Sequence, residues 1–125
     1  MLFPSGSWTV NKNGKKALDQ LAAVLAENPE LNVTVEGHTD SDPFNGSGAV
    51  KDNWDLSVMR ATAIVKILTD NAGVVPKRIT AAGRSEFVPI ATNETKDGKA
   101  KNRRTEIIIT PDMSQIVKVL GEVNE

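Results

Sequence analysis

Two charged side chains carry the most specific chemistry in this chain of 125 residues. Asp40 stands at the exit of the alternating run Leu31–Gly37, and Arg60 falls in the second turn of a helix that starts near Asn53. An arginine fork takes a carboxylate in a bidentate manner and an aspartate accepts from an ammonium, so the two could receive a small zwitterionic group. At about 100° per residue, Leu56, Ala63 and Ile67 lie within about 20° of one line, flanked by Met59 and Ile64. Arg60 sits near the middle of that stripe, where a guanidinium requires an anion close by. Periodicity alone leaves two readings open. The pair is a structural Arg–Asp bridge, or it is shared with a ligand at a helix N-terminus, where backbone N–H groups also favour anions.

The remaining reactive residue types offer less. His38 is the single histidine, has no obvious orienting pair, and reads as a strand-end structural residue. Asp40-Ser41-Asp42 starts like a calcium loop, but Phe44 stands where the third ligand belongs and no glutamate closes the loop. Gly46-Ser47-Gly48-Ala49-Val50-Lys51 lacks the glycine spacing and the following Ser/Thr of a P-loop. Glu36 and Glu106 lie in strand-like runs and could pair with Arg103 or Arg104, and no two carboxylates are singled out as a glycosidase pair. Ser57 needs a base beside it to act as a nucleophile; at a helix start it is more simply a first-turn residue. No catalytic residue, metal site or cofactor is expected.

These side chains must be positioned by one small domain. The composition is ordinary for a globular protein, 39% hydrophobic and 25% charged, and long enough for a single core. Fifteen basic and 16 acidic residues give a net charge of −1, which argues against nucleic acid as the partner. There is no cysteine, and no apolar run approaches the roughly 20 residues that span a bilayer. Met1-Leu2-Phe3-Pro4 does not open a signal peptide, and patterned sequence starts almost at once, as expected of a domain cut from a longer protein. Leu2-Phe3 reads as a short strand. A helix follows over about Asn13–Glu27, with Ala17, Leu18, Leu21, Ala22, Val24 and Leu25 at helical spacing. Leu31–Gly37 is a strand, 41–52 a loop, and a second helix capped by Asn53 or Asp55 runs to about Asn71. Arg78–Gly83 is the third strand, 84–102 a long polar connection, and Arg104–Thr110 the fourth strand. Met113, Ile116, Val117 and Leu120 predict a short C-terminal helix. The fold class is therefore α+β: β-α-β-α-β-β, a mixed four-stranded sheet with two main helices on one face.

Several motifs occur in order: Val35-Glu36-Gly37-His38-Thr39-Asp40; Asn53-x-x-Leu56-Ser57-x-x-Arg60-Ala61; Ile79-x-x-x-Gly83 with Pro89; and Asn102-Arg103-Arg104-x-Glu106-Ile107. Together they resemble the OmpA-like peptidoglycan-binding domain, the family of the OmpA C-terminal domain, Pal and the periplasmic part of MotB. The resemblance covers about residues 2–110, so residues 1–125 are expected to form one such domain, with 111–125 a helical extension. It implies a mixed four-stranded sheet on two helices and a non-enzymatic function. That function is binding of peptidoglycan through the meso-diaminopimelate of its stem peptide. By motif, Asp40 would take the ammonium and Arg60 the carboxylate at the free end of that residue. Thr39, Asn53, Leu56 and Ser57 would shape the pocket, with Arg104 expected nearer to it than Arg103. Diaminopimelate differs from lysine by the terminal carboxylate, so the pair should discriminate between them.

The resemblance thus implies a periplasmic wall anchor of an outer-membrane protein or lipoprotein, its parent held in the membrane by a segment absent here. The wall-anchoring domain of a MotB-like flagellar stator protein is the alternative, and a cell-wall-active enzyme the more distant one. The loop 41–52 is longer than in the shortest family members, and a lid over the ligand is one expectation for it.

Overall fold

The computed structural model describes Phe3 and residues 6–111. Helix α1 (Lys12–Glu27) begins where the Asn11 side chain accepts from the backbone N–H of Gly14, at 2.8 Å. Leu18, Ala22 and Leu25 form its buried stripe, at the i, i+4, i+7 spacing of one helical face. Val24 faces solvent. Strand β1 (Leu31–His38) follows and buries Val33 and Val35 completely. Helix α2 (Asn53–Thr69) is capped by Asp52, whose carboxylate accepts from Asp55 N–H at 2.9 Å. A single 3-10 turn over Pro76–Arg78 leads into β2 (Ile79–Gly83). Arg78 ties that turn back to β1 by donating to the carbonyls of Leu31 and Asn28, at 2.6 and 2.7 Å. A short helix, α3 (Lys96–Asn102), precedes strand β3 (Arg104–Pro111).

The sheet has the order β2-β1-β3, with β1 parallel to β2 and antiparallel to β3. The mixed pairing agrees with the sequence. The strand count does not extend as far: three strands lie among the described residues, and the fourth was expected at Leu2-Phe3, of which Leu2 lies outside them. The expected C-terminal helix also lies outside the described residues. The connection 84–102 is not all loop, since its last part is α3. That helix has no apolar face for periodicity to reveal. It rests instead on a Thr95 cap that accepts from Gly98 N–H at 3.0 Å, and on Gly98 lying against the Thr92 carbonyl with no room for a Cβ.

The core gathers Leu18, Ala22 and Leu25 of α1, Val33 and Val35 of β1, and Ala61, Ile64 and Leu68 of α2, with Phe3 and Val74. Helix α2 is rotated from the expected stripe: Ala61, Ile64 and Leu68 are fully buried, while Ala63 and Ile67 are only partly so. Two glycines account for the rotation. Gly37 and Gly83 are register partners in β1 and β2. A Cβ at Gly37 would overlap the carbonyl oxygen of Ser57, and one at Gly83 would overlap the Val58 side chain and lie 2.6 Å from the Ser57 hydroxyl. The first turns of α2 therefore sit backbone to backbone on the C-terminal ends of two parallel strands. A strand end meeting a helix N-terminus in this way is a common place for a ligand.

Candidate functional site

The chain leaves β1 through His38, Thr39 and Asp40, all buried. Thr39 is held from both sides. Its N–H donates to the Ser85 carbonyl at 2.9 Å, and its hydroxyl donates to the Asp40 carbonyl at 2.8 Å. Ser85 itself is buried with φ +54 and donates its N–H to the Ser57 hydroxyl at 3.1 Å. One serine in left-handed backbone thus joins the ends of β1 and β2 to α2.

Asp40 points into a pocket of about 150 Å³ that is also lined by Thr39, Asn53, Leu56, Arg60 and Arg103, with Phe44 on the loop side. Its Oδ1 accepts from Asp42 N–H at 2.9 Å, and its Oδ2 is ion-paired with Arg103 at 2.6 Å. Arg60, 6% exposed, donates its Nε–H to the Ser7 carbonyl at 2.8 Å and holds its guanidinium 5.2 Å from the centre of the Phe3 ring. Burial lowers the pKa of Arg60 from the ordinary arginine value; the positive charge of Arg103 pushes the same way, and Asp40 opposes them. Lys99 neutralises Asp42 at 2.9 Å. Two guanidiniums, those of Arg60 and Arg103, thus stand beside Asp40 at this pocket, and guanidiniums suit an incoming carboxylate.

Five of the seven residues expected in the site, Asp40, Arg60, Thr39, Asn53 and Leu56, line this pocket together. Ser57 does not. It is fully buried, its hydroxyl donating to the Trp54 carbonyl at 3.0 Å and accepting from Ser85 N–H. Arg104 does not either, and Arg103 stands in its place. Strand alternation is the reason: Arg104 opposite His38 is turned to the other side, where it reaches Glu106 at 3.6 Å and the Val88 carbonyl at 3.0 Å. Arg103, the residue after α3, is set in the pocket by Asn102. That amide is completely buried; it accepts from Ile90 and Ala91 N–H at 2.8 and 3.0 Å and donates to the Ala91 carbonyl and Asn93. The expected bridge also has a different partner, because the ion pair of Asp40 is with Arg103 rather than with Arg60.

The loop 41–52 supplies one wall. Asp42 holds it through Lys99 and through its carbonyl, which accepts from Asn53 Nδ2 at 3.0 Å, and Val50 is buried. Behind the sheet, Glu36 and Glu106 oppose each other across β1 and β3. His38 Nε2 lies between them, 2.8 and 3.1 Å from their carboxylates, and Arg84 meets Glu36 at 3.3 Å. Glu36, His38 and Glu106 could geometrically hold a metal ion, but the chemistry does not fit one. Arg84 and Arg104 already balance both carboxylates, and the second ring nitrogen of His38 is buried without the acceptor that a metal-bound imidazole normally has. The histidine separates two like charges that would otherwise face each other directly.

The fold is an α+β module with a pocket where a strand end meets the N-terminus of α2. The chain belongs to the OmpA family, whose pattern it matches over residues 2–103. It is 37% identical over 111 residues to the motility protein B of Bacillus subtilis, covering 89% of this chain and 42% of that protein. With the outer membrane porin F of Pseudomonas fluorescens it shares 41% over 97 residues, 78% of this chain and 28% of the porin. Among solved structures it is similar to the cell wall anchor of the type VI secretion system of Pseudomonas aeruginosa, with a TM-score of 0.73 at 36% identity. That likeness covers 88% of this chain and 74% of the other. The chain spans less than half the length of these two curated relatives.

Proposed function

We propose that this domain binds peptidoglycan without covalent chemistry, gripping the zwitterionic end of meso-diaminopimelate in the pocket of Asp40, Arg60 and Arg103. One observation carries the reading: a buried aspartate and two guanidiniums converge at a helix N-terminus, in a pocket of about 150 Å³. In the resting site Arg103 occupies Asp40. The ligand ammonium takes over Asp40, and its carboxylate takes Arg60 together with the released Arg103, so one ion pair is exchanged for two. Thr39, Asn53 and Leu56 shape the cavity around the carbon stem. A lysine-containing peptide has the ammonium but not the carboxylate. It would strip Arg103 from Asp40 and offer that arginine no carboxylate in return.

A binder rather than an enzyme is favoured by the roles of the two candidate catalytic side chains. Ser57 is buried with its hydroxyl engaged, and His38 is on the far side of the sheet. The likeness at 36% identity to a cell wall anchor supports a wall-gripping role. The likeness to a motility protein favours a stator-type parent, and the likeness to a porin an outer-membrane one. The wall grip is what both would share. Calorimetric titration with a stem peptide containing meso-diaminopimelate tests the reading. Binding to that peptide and at least tenfold weaker binding of the lysine peptide, about 1.4 kcal/mol, is the expected result. Equal binding of the two would refute the role given to the arginines. Sustained release of fragments from purified sacculi would instead establish an enzyme.

A further inference from the structure

Arg60 is held from outside its own helix by Phe3 and by residues 6–8, which precede α1. Its Nε–H donates to the Ser7 carbonyl at 2.8 Å, and the Phe3 ring, itself part of the core, has its centre 5.2 Å from the guanidinium carbon. The Ser7 hydroxyl accepts from Thr9 N–H at 3.1 Å, closing a local turn around the carbonyl that Arg60 uses. Gly6, in left-handed backbone at φ +64, lines the charged pocket itself, and a Cβ there would lie 3.5 Å from the Phe44 ring. The same short stretch thus walls the pocket and grips one of its two arginines.

We propose that Phe3 and Ser7 are positioning residues for recognition of the ligand carboxylate, fixing the direction of the Arg60 fork before the ligand arrives. The inference rests on the diaminopimelate reading above. A partner chosen only to make a buried cation tolerable would best be an anion, because pairing offsets the loss of hydration. A backbone carbonyl and a ring face are neutral. They orient the guanidinium without cancelling its charge, which is what an incoming carboxylate requires. Arginine is a long, flexible side chain, and ordering it at the moment of binding would weaken the complex; contacts made beforehand remove that cost. Docking of the stretch and binding of the carboxylate are then reciprocal, so the ligand should also steady residues 6–8.

Three substitutions perturb the stretch and leave Arg60 in place. Ser7→Ala opens the turn but keeps the carbonyl, Phe3→Leu keeps an apolar side chain but removes the ring face, and Gly6→Ala puts an L side chain at positive φ. Each should weaken calorimetric binding of the meso-diaminopimelate peptide about three- to tenfold and leave the lysine peptide unchanged, so that the discrimination shrinks. By NMR, exchange of the Arg60 Nε–H with solvent should accelerate in all three, and Ser7→Thr, which retains the hydroxyl, should restore wild-type values. In wild type the backbone N–H groups of residues 6–8 should exchange more slowly with the meso-diaminopimelate peptide bound and at an unchanged rate with the lysine peptide. Equal weakening of both peptides would reduce the stretch to support for the fold and overturn the proposal, as would wild-type discrimination in all three variants with wild-type circular dichroism spectra. If wild type bound neither peptide while Arg60 exchange still accelerated in the variants, the diaminopimelate reading would fall and control of Arg60 by Phe3 and Ser7 would stand.

Discussion

Replacing Arg103 by alanine separates a guanidinium that binds ligand from one that only supports the fold. In the free domain the Arg103 side chain is 28% exposed and holds Asp40, 8% exposed, at 2.6 Å. Charge-assisted hydrogen bonds of this kind contribute about 1.5–3 kcal/mol, the lower end applying where one partner meets solvent. Asp40 keeps the N–H of Asp42, so Arg103→Ala should destabilise the domain by only about 1–2 kcal/mol. Its effect on binding is a difference of two terms. The variant loses the bond from Arg103 to the ligand carboxylate, but the ligand no longer has to displace Arg103 from Asp40. The net loss should be about 1–2 kcal/mol, a 5- to 30-fold weaker Kd. Arg60→Ala should lose about 2–5 kcal/mol. Arg104→Ala should leave affinity unchanged. Calorimetry on the three variants with the meso-diaminopimelate peptide, beside urea melts for stability, reads all of these. A large loss in Arg104→Ala with none in Arg103→Ala would refute the placement of the pocket.

Three further outcomes follow from the packing. Gly37→Ala should lower stability by about 2–4 kcal/mol in urea unfolding and weaken ligand binding as well, because the new methyl must lift the first turn of α2 from β1. Asn102→Ala removes four hydrogen bonds of a buried amide; a stability loss of about 2–4 kcal/mol and weakened binding through a displaced Arg103 are expected. His38→Ala should cost about 1–3 kcal/mol by letting Glu36 and Glu106 face each other, with the affinity of the folded variant for the peptide unchanged. A loss of affinity in folded His38→Ala would place that histidine in the site after all.

Much of the scaffold is legible in the sequence because burial leaves a period. Leu18, Ala22 and Leu25 mark α1, the alternation through Val33 and Val35 marks β1, and the apolar stripe of α2 contains Arg60, which really is buried. The rotation of α2 was not legible. It is set by close approach at Gly37 and Gly83, and a glycine in a strand does not announce which backbone it admits. Helix α3 escaped for a similar reason, being held by a cap and a glycine contact instead of an apolar face. In the site, Asp40, Thr39, Asn53, Leu56 and Arg60 could be placed together from motifs. The exchange of Arg103 for Arg104 could have been read from strand parity: if β3 starts at Arg104, adjacent arginines need not share a face. What could not be read is that Asn102 fixes the turn before β3, since its partners lie 9 to 12 residues upstream in an irregular segment.

On the proposed wall-binding function, the paired glycines have a mechanical consequence. Tension applied to a ligand held by Arg60 enters α2 at its second turn and must pass into the sheet. Where a helix rests on side chains, such a force is first taken up by rotamers that can slip. Here the Ser57 carbonyl lies directly on the backbone at Gly37, and Ser57 and Val58 abut Gly83. The load divides at once between β1 and β2, and β1 is the central strand, flanked by hydrogen-bonded neighbours on both sides. Stretching the complex would therefore be expected to break the ligand contacts before the scaffold deforms. On that proposal the grip is the weakest link of the tether, one that yields by releasing its ligand and can form again.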